Sequence, residues 1–251
     1  MIKEISTPIG LYRKEKFTTE QSYFKSHLVI GYSKTKIYLN DYLSKQEHES
    51  LKEFKHSKRQ YEYLIGRYVA KKSILPFLPN HTPKDITIKK GIFGQPIVSS
   101  VINYDNYQLS LTHTSNFAAS LSYPEFHPMG IDLEVINPKN DKILNRVLTY
   151  KEKLLIEKIS SNESEALSII WTVKESISKV LRTGLTVPLD LLAIKNVKQE
   201  EFQYICEFEN FPQYKAVTWI FSPFILTICL PKNTIIQLED RKKIKQFFSL
   251  K

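Results

Sequence analysis

The chain has 251 residues, 42% of them apolar and 25% charged, so it is long enough to bury a substantial core and ordinary in composition. Its 36 Lys and Arg residues outnumber 26 Asp and Glu, and the formal net charge of +10 favours anionic partners such as nucleic acids, phosphorylated cofactors or acidic proteins. The two cysteines have no metal-ligand spacing, the N-terminus lacks the apolar run of a signal peptide, and the most apolar segment, residues 219–230, is far short of the ~20 residues of a membrane span. These features exclude a disulfide scaffold, and we expect a cytoplasmic protein without a transmembrane helix.

The first half of the chain predicts an extended start followed by two helices and several short strands. Residues 1–33 predict a strand or an extended arm with loops. One helix is expected at 43–54, with Ser44 near its start, and a second at 58–77, ended by Pro76. The strands predicted in this half are 35–39, 86–89, 108–112, 117–123 and 129–135.

The second half, which we take to begin after Pro138, repeats this order of elements. Its first helix should cover 149–159 and its longer one 164–181. Strands are predicted at 192–197, 202–208, 215–221 and 224–230, followed by a basic tail at 241–243. No residue-level repeat is visible. The order of elements alone predicts an α+β fold of two similar halves with pseudo-twofold symmetry, 1–138 and 139–251, each a helix pair packed on a small, mostly antiparallel sheet.

Three acidic side chains and one lysine stand out because of where the predicted elements would carry them. Alternate side chains of a strand share a face, so Asp132 and Glu134 would project to one side, roughly 6–7 Å apart. On the 164–181 helix, Glu175 and Lys179 lie roughly opposite the apolar face, at 100° per residue. Three carboxylates on rigid elements suit a hard cation such as Mg²⁺, which usually also holds phosphate oxygens.

Each of these pieces also has a simpler structural interpretation. A strand that alternates apolar with acidic residues is usually amphipathic with one wet face, and Glu175 with Lys179 is also the i,i+4 ion pair of an exposed helix. Glu152 is a candidate fourth metal ligand, but Thr149 and Glu152 also match a capping box, in which Glu152 would bond the amide of the N-cap residue.

Two other segments could contact phosphate groups. Residues 110–115 place hydroxyls around His113 at the end of a strand, where they could donate to phosphate oxygens; a polar hairpin turn is the alternative. Residues 54–72 carry six Lys or Arg side chains, which could grip a nucleotide phosphate or an RNA backbone, or could form a solvated helix face. The sequence has no P-loop, no dinucleotide-binding glycine pattern and no H-E-x-x-H.

Taken together, these motifs resemble the 4'-phosphopantetheinyl transferases of the monomeric, two-halved type that activate peptide and polyketide synthases. The G-I-D-x-E pattern at 130–134 and the W-x-x-K-E-S-x-x-K pattern at 171–179 are that family's two signature motifs. Shorter matches keep the family's order and lie at 93–96, 110–113, 148–152 and 184–189. The similarity therefore extends over more than half of the chain.

The resemblance implies transfer of the phosphopantetheine arm of coenzyme A to a serine hydroxyl of an apo acyl or peptidyl carrier protein, with release of adenosine 3',5'-bisphosphate. It implies that Asp132, Glu134 and Glu175 hold Mg²⁺ against the pyrophosphate of the coenzyme. Glu175, directly or through water, would take the serine proton, and Lys179 would neutralise or protonate the leaving phosphate. The residues that it assigns to coenzyme A are Lys58, Gln95, Thr112, His113 and Lys179.

The expected partners are therefore coenzyme A and a transiently bound carrier protein, and the protein is expected to be a monomer that binds neither nucleic acid nor membrane. Two positions depart from the family pattern. Gln95 stands where the family usually has Lys or Arg, so one coenzyme contact loses its charge, for which Lys89 or Lys90 could compensate. Thr112 replaces the commoner serine and keeps the hydroxyl.

Two other functions stay open at this point. The net charge of +10 also suits a nucleic-acid-binding module, and the same three acids could serve a Mg²⁺-dependent nuclease. Neither function explains Lys174, Lys179 or the Gly-Gln-Pro turn at 94–96, so the transferase is the leading hypothesis.

Overall fold

The computed structural model describes residues 2–14, 21–34, 39, 41–99, 101, 106–238 and 240–249. The chain forms two compact units, the first made of Met1–Pro128 with Asn233–Lys251 and the second of Met129–Lys232. No helix among the described residues is long and apolar enough to span a bilayer.

The elements are named in chain order. The strands are β1 (Lys3–Lys14), β2 (Gln21–Tyr32), β3 (Thr87–Lys90), β4 (Pro96–Ser99), β5 (Tyr107–Thr114), β6 (Phe117–Pro124), β7 (Gly130–Val135), β8 (Ile194–Glu200), β9 (Gln203–Phe208), β10 (Tyr214–Phe221), β11 (Phe224–Pro231) and β12 (Thr234–Gln237). The helices are α1 (Lys45–Glu53), α2 (Ser57–Ile74), α3 (Asp141–Arg146), α4 (Tyr150–Lys153), α5 (Ile156–Ile159), α6 (Glu163–Leu181) and α7 (Arg241–Phe248).

The first unit is built on a five-stranded antiparallel sheet in the order β12-β1-β2-β6-β5, with a separate hairpin of β3 and β4. The long helix α2 packs against β2, β5 and β6. Its apolar stripe, which includes Ile65 and Val69, is buried against Val29 and Ala118 of the sheet. Removing these side chains from water is the main force that holds the helix in place.

The second unit repeats this plan with an antiparallel sheet in the order β7-β11-β10-β9-β8. The long helix α6 packs on β7, β10 and β11. The core face predicted from helical spacing is confirmed, because Ile170, Val173 and Ile177 are fully buried against residues such as Ile225.

The predicted α+β class with mostly antiparallel sheets and two helix-and-sheet halves is confirmed. The predicted helices 43–54, 58–77 and 164–181 correspond to α1, α2 and α6. The segment 1–33, predicted as a strand or an extended arm with loops, contains the two strands of the long hairpin β1–β2, and the helix predicted at 149–159 is divided into α4 and α5. Elements that the sequence patterns did not predict are β4, β12, α3 and α7. The strand predicted at 35–39 falls, except for residue 39, outside the described residues.

The compact units are bounded differently from the sequence halves 1–138 and 139–251. Strand β7 pairs with β11 and so belongs to the second unit, although it precedes Pro138. Strand β12 pairs with β1 and returns the last part of the chain to the first unit. These boundaries are set by pairing between strands that are far apart in the sequence. A local sequence pattern does not predict such pairing.

The first unit also contains a buried ion pair at the start of α1. Ser44 and Glu47 form a capping box, in which Glu47 Oε2 accepts the backbone N–H of Ser44 at 3.0 Å. The same carboxylate accepts a short hydrogen bond from Lys71 of α2, and its other oxygen accepts the N–H of Ile88 at 2.9 Å. Lys71 donates to two backbone carbonyl oxygens as well, at 2.9 and 2.8 Å. The first-unit ion pair, Glu47–Lys71, thereby joins α1, α2 and β3.

Candidate active site

The candidate site lies in the second unit, where β7 passes unusually close to α6. A Cβ atom added to Gly130 would lie 2.1 Å from the backbone oxygen of Ser176, a separation that no side chain can adopt. Only glycine therefore fits at the start of the G-I-D-x-E segment. This close approach places the carboxylate of Asp132 within reach of half-buried side chains of α6.

Asp132 and Lys179 are in direct contact. Lys179 Nζ lies 2.7 Å from Asp132 Oδ1 and donates a second hydrogen bond to the carbonyl oxygen of Ile131 at 2.9 Å. Asp132 is only 3% exposed, so the wet-face interpretation of β7 does not describe it. A buried carboxylate requires a cation or several donors, and here the lysine ammonium supplies the charge.

Glu175 is the second carboxylate of this cluster. Burial, and then the negative charge of Asp132, raise the pKa of Glu175 from 4.5 to about 7, while Lys179 acts in the opposite direction. The structure therefore brings Asp132 of β7 together with Glu175 and Lys179 of α6, as the resemblance to the transferase family implies. A carboxyl group with a pKa near neutrality can exchange protons at physiological pH.

Glu134, the third predicted metal ligand, lies two residues further along β7 and is half-buried. Within the described ranges, no three His, Cys, Asp or Glu side chains are grouped closely enough to hold a metal ion. The assignment of Asp132, Glu134 and Glu175 to Mg²⁺ therefore stays a prediction. The donor set fits this assignment. Asp132 and Glu175 repel each other, and a bound divalent cation would relieve that repulsion. One oxygen of Asp132 already accepts a hydrogen bond from Lys179.

Glu152 acts as a helix cap and half of a buried ion pair. Its Oε2 accepts hydrogen bonds from the backbone N–H of Thr149 at 2.8 Å and from Lys174 Nζ at 2.8 Å, and its Oε1 accepts the N–H of Ile194 at 3.0 Å. Both side chains are fully buried. The capping-box interpretation is confirmed, and we call this contact the second-unit ion pair, Glu152–Lys174.

The first unit carries a cavity of about 730 Å³ between α1, α2, β5 and the β3–β4 hairpin. This volume is in the range of pockets for nucleotide-sized ligands. Among its lining residues are the cationic or titratable side chains Arg59, Arg67, Lys89, Lys90 and His113. Acidic side chains also contribute, since Glu47, Glu53 and Glu62 line the same cavity.

The predicted coenzyme-binding residues are distributed unevenly around this cavity. His113 lines it, with Nε2 3.8 Å from a carboxylate oxygen of Glu62, whereas Thr112 is buried and is not among the lining residues. Gln95 accepts the backbone N–H of Phe93 at 3.1 Å, so its side chain folds back over its own turn. Lys58 is exposed and lines a different cavity, of about 620 Å³.

Two groups in these regions were not among the predicted site residues. Lys89 and Lys90, proposed from the sequence only as substitutes for the missing charge at Gln95, both line the cavity. Arg67 lies with its guanidinium carbon 4.3 Å from the centre of the Tyr63 ring and its Nε 3.3 Å from Glu47. The sequence signal for Arg67 is its place among the six Lys and Arg residues of 54–72, which could grip a nucleotide phosphate.

Comparison with known proteins points to one family. A family model described as the 4'-phosphopantetheinyl transferase superfamily matches residues 128–229, the segment that contains Asp132, Glu175 and Lys179. The 4'-phosphopantetheinyl transferase gsp of Aneurinibacillus migulanus is 23% identical over 154 residues, which cover 61% of this chain and 62% of that protein. The 4'-phosphopantetheinyl transferase ffp of Bacillus subtilis is 22% identical over 158 residues, covering 62% of this chain and 68% of the relative.

A third similar protein is the 4'-phosphopantetheinyl transferase Sfp of Bacillus subtilis strain 168, which is 22% identical over 155 residues, 61% of this chain and 66% of the relative. The chain thus spans less than two thirds of the length of the first of these relatives, the transferase gsp.

Proposed function

We propose that this chain is a member of the 4'-phosphopantetheinyl transferase superfamily and transfers the 4'-phosphopantetheine group of coenzyme A to a serine of an apo acyl or peptidyl carrier protein, in a Mg²⁺-dependent reaction. The observation that carries the proposal is the cluster of Asp132, Glu175 and Lys179 inside the matched segment. Two acids and a lysine at one place suit chemistry on a phosphate ester, because the reaction needs a base and charge neutralisation.

Glu175 serves as the general base in this proposal. The serine hydroxyl attacks the phosphorus of the pyrophosphate that bears the pantetheine arm, and its proton passes to Glu175, directly or through water. The bond from that phosphorus to the bridging oxygen breaks, and adenosine 3',5'-bisphosphate leaves. Without metal, burial and the negative charge of Asp132 raise the pKa of Glu175 to about 7; a bound Mg²⁺ would lower it, and Glu175 would take the proton as a carboxylate.

Lys179 stabilises the leaving phosphate. In the structure its ammonium is held by Asp132 and the carbonyl of Ile131 at the edge of the cluster. Its side chain is 23% exposed, so it can turn from Asp132 towards an incoming phosphate. Removing one such positive charge from a developing phosphate typically costs about 10²–10³ in rate.

We propose that Asp132, Glu134 and Glu175 hold the Mg²⁺ ion. When bound, the ion would neutralise the pyrophosphate oxygens and orient them for attack. Asp132 and Glu175 support this role because burial, and then the negative charge of Asp132, raise the pKa of Glu175, and a divalent cation would relieve both effects.

The first-unit cavity is the proposed coenzyme-binding region. His113, Lys89 and Lys90 offer donors and positive charge for phosphate oxygens, and Arg67 offers a planar guanidinium. Lys58, Gln95 and Thr112 stay predicted contacts of the coenzyme. The cations on the β3–β4 hairpin supply the charge that Gln95 lacks.

The proposed macromolecular partner is a carrier protein, bound transiently by a monomeric enzyme. Carrier proteins are typically acidic around the modified serine, and the net charge of +10 would steer such a partner towards the enzyme. Coenzyme A and apo carrier proteins are cytoplasmic, which is where we expect the reaction to run.

The test is a mass measurement on the carrier. Incubation with coenzyme A, Mg²⁺ and a panel of apo acyl and peptidyl carriers should add one phosphopantetheine to at least one of them. Asp132→Asn, which keeps the buried shape, should remove the adduct, whereas the exposed Lys151→Ala should keep it. No adduct on any carrier, or nucleolysis that depends on Asp132, would reject the proposal.

A further inference from the structure

The two units contain the same arrangement of buried charge, although the sequence shows no residue-level repeat. In each, a capping-box acid accepts hydrogen bonds from its own N-cap residue, from a lysine on the long helix and from a backbone N–H at the next strand. The acids are Glu47 and Glu152, and the lysines are Lys71 and Lys174. Each lysine also donates to two backbone carbonyls.

Stability alone does not explain these pairs. The Lys174 and Glu152 side chains are fully buried, as is that of Lys71, and Glu47 is 2% exposed. Apolar side chains of similar volume commonly replace a buried ion pair without loss of stability. The ion pair instead fixes the orientation of the lysine. Its ammonium has three acceptors in three different segments, and only one orientation reaches all of them.

The acceptors of Lys174 come from around the second unit. They are the carbonyl of Val147 before α4 at 3.3 Å, the carboxylate of Glu152 within α4, and the carbonyl of Leu189 after α6 at 2.9 Å. All three protons of the ammonium are therefore used inside the protein, and Lys174 has none left for a phosphate. Its place in the W-x-x-K-E motif must have another reason.

We propose that Lys174 is a positioning residue, which fixes the rotation of α6 about its axis so that Glu175 and Lys179 face Asp132. Adjacent helical residues differ by about 100° in direction, so holding Lys174 sets the direction of Glu175 and, about one turn later, of Lys179. The inference rests on the proposed function, since it concerns the orientation of Glu175, the candidate base, and of Lys179.

The first-unit ion pair supplies a matched comparison. In the first unit the residue that follows the buried lysine, Lys71, is Lys72. The same arrangement therefore orients no acidic side chain there. Instead, Arg67, one turn earlier on α2, contacts Glu47 at 3.3 Å and lines the cavity. Disturbing the first-unit pair should therefore affect coenzyme binding and leave the acidic cluster unchanged.

The experiment compares two double variants of the full chain. In Glu152→Gln with Lys174→Met, no buried charge is left unpaired, and the amide oxygen can still accept the N–H of Ile194. Glu47→Gln with Lys71→Met is the control. The Mg²⁺ dissociation constant is measured by titration calorimetry, kcat and KM for coenzyme A by carrier modification, and folding by circular dichroism.

For the second-unit variant we expect Mg²⁺ binding to weaken roughly 10–100-fold and kcat to fall about 100-fold, with KM for coenzyme A nearly unchanged. For the control we expect a raised KM and unchanged Mg²⁺ binding. A folded second-unit variant with wild-type Mg²⁺ affinity and kcat would overturn the inference. So would an equal loss of Mg²⁺ affinity in the control, because that points to a general structural effect.

If the second-unit double variant does not fold, Lys174→Arg takes its place, since it keeps the charge but not the shape of the ammonium. Normal Mg²⁺ affinity and kcat in that variant would also overturn the inference. Wild-type protein that binds Mg²⁺ but modifies no carrier would reject the proposed function alone, and the Mg²⁺ comparison would still decide the role of Lys174.

Discussion

Lys179 Nζ lies 2.7 Å from Asp132 Oδ1, so these two candidate site residues form an ion pair. In the proposed reaction the carboxylate holds Mg²⁺ and the ammonium meets the leaving phosphate. In the observed contact the two roles oppose each other, because the positive charge on Oδ1 repels a metal ion bound by the same carboxylate. The lysine and the metal therefore compete for Asp132.

This competition predicts opposite effects of one substitution on metal binding and on turnover. Lys179→Met should lower kcat by about 10²–10³ because the leaving phosphate loses its cation. It should also tighten Mg²⁺ binding several-fold, because Asp132 no longer has a competing cation. Titration calorimetry and carrier modification measure the two quantities.

The control is Lys151→Met, at an exposed lysine paired with Glu209, which should change neither quantity. Weaker Mg²⁺ binding in the Lys179 variant would contradict the competition.

The raised pKa of Glu175 predicts a pH-dependent change in stability. Without metal, the pKa is about 7 in the folded protein and about 4.5 in the unfolded chain, so folding favours the protonated form. This contribution to stability is present below pH 4.5 and is lost as the pH rises through 7. Glu175→Gln should therefore stabilise the protein by about 2 kcal/mol at pH 8.5 and by little at pH 4.5.

Thermal unfolding in metal-free buffer at the two pH values measures this effect. Glu157→Gln, at an exposed position on α5, is the matched control and should have no pH-dependent effect. If Glu175→Gln gives the same change in melting temperature at both pH values, the pKa of Glu175 is not raised by folding.

The direction of each side chain in the acidic cluster could be predicted from the sequence because short-range geometry determines it, whereas their convergence follows only from the resemblance of the two motifs to the transferase family. Alternation along β7 fixes the direction of Asp132, and the 100° step along α6 fixes those of Glu175 and Lys179. The predicted burial was less accurate, since Asp132 is buried where an amphipathic strand would expose it. Burial depends on how closely α6 approaches, which the strand pattern does not contain.

The two ion pairs could not be predicted as pairs, because each joins residues more than twenty positions apart. The sequence does contain a partial signal. Lys174 lies among Ile170, Val173 and Ile177, on the side of the helix that the apolar spacing assigns to the core. A lysine in that position requires a buried partner, and the pattern around Glu152 indicates only a cap or a metal ligand.

Gly130 allows a sharper test of how β7 and α6 approach each other. A Cβ at this position would meet a backbone oxygen at 2.1 Å, and backbone cannot move aside as a flexible side chain can. Gly130→Ala should therefore destabilise the protein by about 3 kcal/mol and reduce kcat, because the overpacked helix is pushed away from Asp132. The midpoint of urea denaturation measures the change in stability.

Gly66 supplies the control for this substitution. It lies within α2, and its added Cβ would meet only the end of the Leu111 side chain, at 3.4 Å. Gly66→Ala should leave stability unchanged or raise it by up to about 1 kcal/mol, since alanine favours helix. Equal destabilisation by both substitutions would show that the close approach at Gly130 has no special role.

The proposed coenzyme region is tested by removing the charge of the β3–β4 hairpin. Lys89 and Lys90 are exposed and line the first-unit cavity, so Lys89→Ala with Lys90→Ala removes two cations without disturbing the core. Each lost charge-assisted phosphate contact should weaken coenzyme A binding by roughly tenfold, and the salt dependence of binding should become shallower.

Lys84→Ala, at an exposed lysine outside the cavity, is the matched control and should bind coenzyme A normally. Calorimetry at two salt concentrations measures both quantities, and unchanged affinity in the double variant would place the coenzyme phosphates away from this hairpin.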